Sequence, residues 1–284
     1  MTEELRSGGE AGRGPLATVG THAALALGAL VMAFPFYWMV TTGLKGPAEA
    51  LSFPPTLIPK APTLSNFRQV WQEQPFGRYL LNSGFVSTAV TLGVLVTSSL
   101  AAHAFARMRF WGRELLFGAF LATMMIPFEV VLIPDFLIIR QLGWFDSYLA
   151  LIVPWTASVF GIFLLRQTFL GIPDELFEAS QLDGCGHGRF LFRVALPLVT
   201  PALVTVALVT FLGSWNSLLW PLVVTHRQEL MVVQVGLVSY LGEEGSQYQL
   251  VMAAATVSIL PIVVLFLAAQ RHFVEGIART GLKS

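Results

Sequence analysis

The sequence predicts an all-α integral membrane protein with six transmembrane helices, on three observations. Of 284 residues, 55% are hydrophobic and only 12% are Asp, Glu, Lys or Arg, about half the charged share of an ordinary soluble domain. So few charges cannot cover a surface that faces water, and the mean hydropathy of +0.68 agrees. Apolar runs of about 20 residues, the length that crosses a bilayer, recur along the whole chain. Backbone in lipid must satisfy its own hydrogen bonds, which a helix does and an open sheet does not.

Residues 1–15 are expected to form a short N-terminal segment, disordered over the Gly-rich stretch Ser7 to Gly14. The first span falls within Gly14–Leu44, an uncharged run of 31 residues preceded by Glu3, Glu4 and Glu10. A cleaved signal has a core of about 7–15 residues with basic flanks, so an uncleaved anchor is expected. A loop of low helical character follows, carrying Pro47, Pro54, Pro55, Pro59 and Pro62. The second span lies within Tyr79–Ala106. The third runs from Leu115 to about Ile139 and is interrupted by Glu129 and Asp135. The fourth, fifth and sixth lie within Ser147–Leu165, Val194–His226 and Gly245–Gln270. The transmembrane domain is thus expected over 16–270, with a tail at 271–284.

Six spans put both termini on one side, and basic residues indicate which side is cytoplasmic. Arg6, Arg13, Arg107, Arg109, Arg113, Arg166, Arg189, Arg193, Arg271, Arg279 and Lys283 share the side of the termini; Lys45, Lys60, Arg68, Arg78, Arg140 and Arg227 lie opposite. That distribution of eleven to six makes both termini cytoplasmic. Tyr37, Trp38, Trp144, Tyr148 and Trp220 fall near the expected interfaces, where amphipathic rings are favoured, though each could equally be a packing residue.

The stretch Gly171–Pro201 is too polar for lipid and falls in a cytoplasmic loop of this topology. Pro173 followed by Asp174 and Glu175 is a helix start, because acids suit the positive end of the helix dipole. Gly184, Gly186 and Gly188 are expected to break that helix. A second helix then carries Arg189 and Arg193 four apart and ends near Pro197. Two short helices joined by a glycine turn make a knob that another protein could grip, or a loop that merely lies on the membrane surface.

Within this stretch Glu178-Ala179-Ser180, Asp183-Gly184 and Leu196-Pro197-Leu198 resemble the EAA loop of ABC importer permeases. The likeness extends over nearly the whole chain: Asn82-Ser83, Ala101 to Arg107, Met124 to Pro127, Trp215-Asn216, Pro221-Leu222 and Gln270 to Val274 are similar to the MalG-like permeases of carbohydrate importers. Ser180 departs from the family's second alanine, and His103 stands where an aromatic is common. The resemblance implies the type I ABC importer permease fold and a place in a bacterial or archaeal cytoplasmic (inner) membrane. It also implies four kinds of partner besides membrane lipid: a second homologous permease, an ABC ATPase dimer, an extracytoplasmic solute-binding protein and a sugar or oligosaccharide. The loop would be a coupling helix seated in the ATPase, with Glu178, Ala179, Ser180, Asp183, Gly184 and Pro197 as its coupling residues. A polyol or glycerol phosphate importer, or an ion-driven secondary carrier, are the alternatives.

No catalysis, cofactor or metal is expected in this subunit. Gly276 to Ser284 misses the GxxxxGK[ST] phosphate loop because Leu282 occupies the lysine position. The five histidines are scattered, and one cysteine, Cys185, cannot form an internal disulfide framework. With 17 basic and 17 acidic residues, nothing indicates a nucleic-acid partner. For the substrate pathway, Glu129 and Asp135 are candidates because charges inside spans usually face a cavity or a partner, unless interfacial water solvates them. Trp215 and Asn216 combine an aromatic face with an amide, as sugar sites do, or pack one subunit on another.

Overall fold

The computed structural model describes residues 15–241 and 247–281. The expected N-terminal segment, apart from Pro15, and the last three residues of the tail lie outside them. Among the described residues every regular element is helical, and four helices are long and apolar enough to cross a membrane, or six spans if two sharply bent pairs each count as one.

The first span is α1 (Pro15–Gly43). The proline-rich loop after it holds only α2 (Pro47–Ala50) and then α3 (Ser65–Glu73). The second span, α4 (Phe76–Arg107), is 32 residues of unbroken helix and forms the axis of the molecule. Its buried Val86, Val90, Val94 and Ala102 meet Leu165, Phe169, Val206 and Trp220 from later elements. Midway along α4, Gly93 admits a close approach: a Cβ there would sit 2.7 Å from Cγ2 of Thr156. Beside it the Thr97 hydroxyl donates to the Thr156 carbonyl at 2.7 Å.

The third span differs from the single helix expected. α5 (Arg113–Thr123) and α6 (Phe128–Gln141) meet at 100°. Pro127 has no N–H and its ring disfavours helical backbone at the preceding residue. The chain accordingly tightens into three-residue turns, with Met125 N–H donating to Ala122 and Ile126 N–H to Thr123. The break also accounts for a charge here, because Glu129 lies in the first turn of a new helix, at its positive end.

The fourth span is α7 (Tyr148–Ile152), a tight turn at Val153–Trp155 and α8 (Val159–Leu170). Beyond it come α9 (Asp174–Leu182), α10 (His187–Phe190), a wide turn at Leu191–Ala195 and α11 (Leu196–Leu198). Gly188 therefore does not break a helix as expected; it is helical within α10, and Gly184 alone of the three glycines has left-handed backbone, φ +75°. The segment His187–Leu198 meets α12 (Thr200–Trp215) at 84°. The fifth span thus is three helical pieces, because after Asn216–Leu218 the chain resumes as α13 (Leu219–Val224). α14 (Val233–Val238) precedes the last helix, α15 (Tyr248–Gly281), which runs past the expected end of the sixth span. α1 lies outside this core: no residue of its most apolar stretch is buried, and it meets α15 closely at Gly43, where a Cβ would come 3.1 Å from Ala253 backbone.

Candidate functional site: a capped helix and a hydroxyl-lined cavity

α9 begins with Asp174 and Glu175 in its first turn, after Pro173 in extended backbone. It ends in a closed cap. The Gly184 N–H donates to the Gln181 carbonyl at 3.0 Å, and the Cys185 N–H to the Ser180 carbonyl at 2.9 Å. These two bonds around a left-handed glycine form the Schellman arrangement, which satisfies the last carbonyls of the helix. Glu178, Ala179, Asp183 and Gly184 are all exposed here. Leu182, which the sequence did not single out, is 91% exposed beside them. Ser180 differs from its neighbours: it is buried, and its hydroxyl donates to the Phe177 carbonyl at 2.7 Å. Pro197 is exposed on α11.

The last turns of α4 hold this helix. Arg107 is 6% exposed in its side chain and pairs with Asp174 at the start of α9. Its other terminal nitrogen donates to the Phe169 carbonyl at 2.9 Å and to that of Ile172, tying down the end of α8 and the link into α9. Hydrogen bonds to a charged donor are about twice as strong as neutral ones, so the start of α9 is firmly held. His103, buried one turn earlier, meets His187 of α10.

The other half of α4 lines a cavity of about 470 Å³ with α8, α12 and α13. Ser83, Ser87, Ser158 and Thr210 contribute hydroxyls, and Trp155 and Trp220 contribute aromatic rings. None of its described lining residues is charged. Trp220 is held by its indole N–H, which donates to the Ala150 carbonyl at 2.9 Å. Neither Trp215 nor Asn216 lines this space. Trp215 is 3% exposed and stacks on Phe211 at 5.7 Å, while exposed Asn216 accepts from Gln234 at 3.3 Å. Glu129 is exposed, Asp135 half-buried, and neither lines the cavity.

The segment 225–233 is tied to the end of α4 away from α9, and its Val232 lines the cavity. Asn82 donates to the Glu229 and Met231 carbonyls at 2.9 and 2.8 Å and accepts from the Tyr148 hydroxyl at 2.8 Å. The Ser83 hydroxyl accepts from the Val233 N–H at 2.8 Å. Asp146, with left-handed backbone at φ 57°, accepts from the His226 and Arg227 N–H groups at 2.8 and 3.0 Å and from the Arg227 guanidinium at 2.8 Å. Burial pushes the Asp146 carboxyl up, but those donors and the arginine charge outweigh it and hold it below the usual carboxylate range. The hydroxyls were visible in the sequence only as ordinary small residues of apolar spans.

A closed helix cap at one end of α4 and a cavity in its other half describe an apparatus, and comparison with known proteins identifies it. Residues 78–279 match the family described as binding-protein-dependent transport system inner membrane component. The chain belongs to that family. This permease is 35% identical over 264 residues to the sn-glycerol-3-phosphate transport system permease protein UgpE of Yersinia pestis, covering 90% of this chain and 94% of that one. It is 36% identical over 265 residues to the protein of the same name from Pectobacterium atrosepticum, with the same coverage. Its fold is similar to a crystal structure of a bacterial ABC transporter that imports the acidic polysaccharide alginate, with a TM-score of 0.80 and 23% identity over 91% of this chain and 96% of that chain. A second structure, the alginate transporter with a periplasmic protein bound to an alginate pentasaccharide, aligns with a TM-score of 0.61 and 16% identity over 89% of this chain and 95% of that one. The permease is therefore an inner membrane transport subunit with the fold of ABC importer permeases.

Proposed function

We propose that the permease passes a sugar or oligosaccharide, delivered by an external solute-binding protein, through a path shared with a second homologous permease, and that α9 couples this movement to a partner ATPase dimer. One observation carries the reading. A single unbroken helix, α4, bears an uncharged cavity of hydroxyls and aromatic rings and, at its other end, the Arg107 clamp on the exposed α9. Hydroxyls match the donors and acceptors of a sugar, and indole faces match its apolar C–H surface. Glu178 and Asp183 supply charge to the ATPase contact, while Ala179 and Gly184 allow close approach. Both termini and α9 face the cytoplasm, in keeping with the excess of basic residues on that side.

Affinity purification of the tagged chain in mild detergent, with mass spectrometry of the proteins that stay bound, tests the assembly. Recovery of an ABC ATPase, a second permease and a solute-binding protein supports it. Recovery of the chain alone, moving solute in liposomes without ATP, overturns it in favour of a secondary carrier. The UgpE relatives favour a second reading, import of a glycerol phosphate. The uncharged cavity lining weighs against phosphate recognition by this chain, because a buried phosphate needs cationic or backbone N–H partners. Competition of uptake by sn-glycerol-3-phosphate against neutral sugars separates the two.

A further inference from the structure

We propose that His103 is a positioning residue for energy coupling, which holds the turn after α9 to the end of α4 through His187. This rests on the coupling role of α9 proposed above. His103 is 4% exposed, and its Nε2 lies 3.3 Å from Nδ1 of His187, the first residue of α10 and the third after Gly184. The two rings lie among Phe169, Phe177 and Phe190. The other ring nitrogen of His103 is buried and without a partner among the described residues. The coupling loop therefore supplies the hydrogen bond of a costly buried polar group. Arg107 grips the start of α9 and His103 grips the turn beyond its end, so two adjacent turns of α4 hold both ends of the coupling helix.

An imidazole pair of this kind needs one N–H and one bare nitrogen face to face. Among the described residues no charged side chain bonds to either ring. On α4 itself Arg107 is turned to Asp174 and two carbonyls, Arg109 lies in the connection to α5 and Arg113 opens α5. From α9, Asp174 is engaged by Arg107, leaving Glu178 at the rim of the same recess. Arg166 of α8 is engaged with Glu114 and the Phe105 carbonyl, and Arg189 of α10 is exposed.

Cys185 is the chain's single cysteine and lies, partly exposed, between Gly184 and His187. Its alkylation by N-ethylmaleimide, measured by peptide mass spectrometry in inverted vesicles carrying the full importer, reports release of the turn. Near neutral pH, His103→Phe and His187→Ala should each alkylate about five-fold faster than the parent chain, the population shift given by loss of one hydrogen bond, and the double variant no faster than either. His103→Gln, whose amide can still donate to His187, should stay near the parent rate. Parent-like rates in either single variant, or additive effects in the double, overturn the proposal. Should His103→Phe fail to accumulate, His187→Ala, at a half-buried position, decides alone. The coupling role is tested separately: if Gly184→Trp leaves ATP hydrolysis under control of the binding protein, that role fails, whatever the alkylation rates.

Discussion

Replacement of Gly184 separates the local demands of the α9 cap from those of a docked partner. Its φ is +75°, yet a Cβ there would meet nothing among the described residues within 4 Å. The intrachain cost of any L-residue is therefore backbone strain, about 1–2 kcal/mol, and smaller for Asn, which enters this region more readily. A shift of that size changes the ratio of closed to open cap by roughly 5- to 30-fold. Alanine and tryptophan carry the same strain, so amide hydrogen exchange at Gly184 and Cys185, the donors of the two capping bonds, should accelerate equally in Gly184→Ala and Gly184→Trp. ATP hydrolysis stimulated by the binding protein should instead fall in steps: near normal for Gly184→Asn, several-fold lower for Gly184→Ala and lost for Gly184→Trp. Equal hydrolysis by the alanine and tryptophan variants would refute a cleft closing on this turn. Parent-like exchange in Gly184→Ala would refute the strain argument itself.

The tethering of residues 225–233 gives two further expectations, both read by thermal unfolding in detergent. Asn82→Ala leaves two carbonyls and the Tyr148 hydroxyl unpaired and should cost about 3 kcal/mol or more, against about 1 for Tyr148→Phe; equal losses would refute the hub role of Asn82. Asp146→Asn keeps a residue type that tolerates left-handed backbone while removing the charge facing Arg227. Because the folded carboxyl titrates below its unfolded value, its contribution is present above the unfolded pKa of about 4 and is lost as pH falls through the folded value. The parent chain should thus be more stable than Asp146→Asn at neutral pH, and the difference should vanish in strong acid. Trp155→Ala should raise the half-saturation of uptake for the sugar recovered with the binding protein roughly 2- to 10-fold, the contribution of one aromatic face, with protein level unchanged. An unaltered half-saturation would remove Trp155 from the path.

The spans that read cleanly in the sequence, α1, α4 and α15, are those whose apolar runs lack both charge and a proline that breaks the helix. The third and fifth did not, because hydropathy records whether a segment prefers lipid and not the direction it takes within lipid. Pro127 carried the signal for the 100° bend, but a proline can also kink a continuous helix gently, and only its neighbours decide which. The exposed α9 and its glycine cap were legible because their residues are contiguous: acids, small residues and a glycine succeed one another from Asp174 to Gly184. The inward turn of Ser180 was not, since a small residue suits either face. The cavity was hidden because it is assembled from residues near 83–90, 151–160 and 209–221, each unremarked in its own span. Of the conspicuous pair, Trp215 stacks on Phe211 within α12 and Asn216 meets Gln234 at the surface.

The close contact at Gly93 gives α4 the mechanics of a seesaw. Gly93 is ten residues from Ser83 and fourteen from Arg107, about 15 and 21 Å along a straight helix. A tilt of about 5° around that contact would carry the cavity wall roughly 1 Å one way and the Arg107 grip roughly 2 Å the other, with the helix itself intact. The side chain that glycine omits there is what lets Thr156 serve as the pivot.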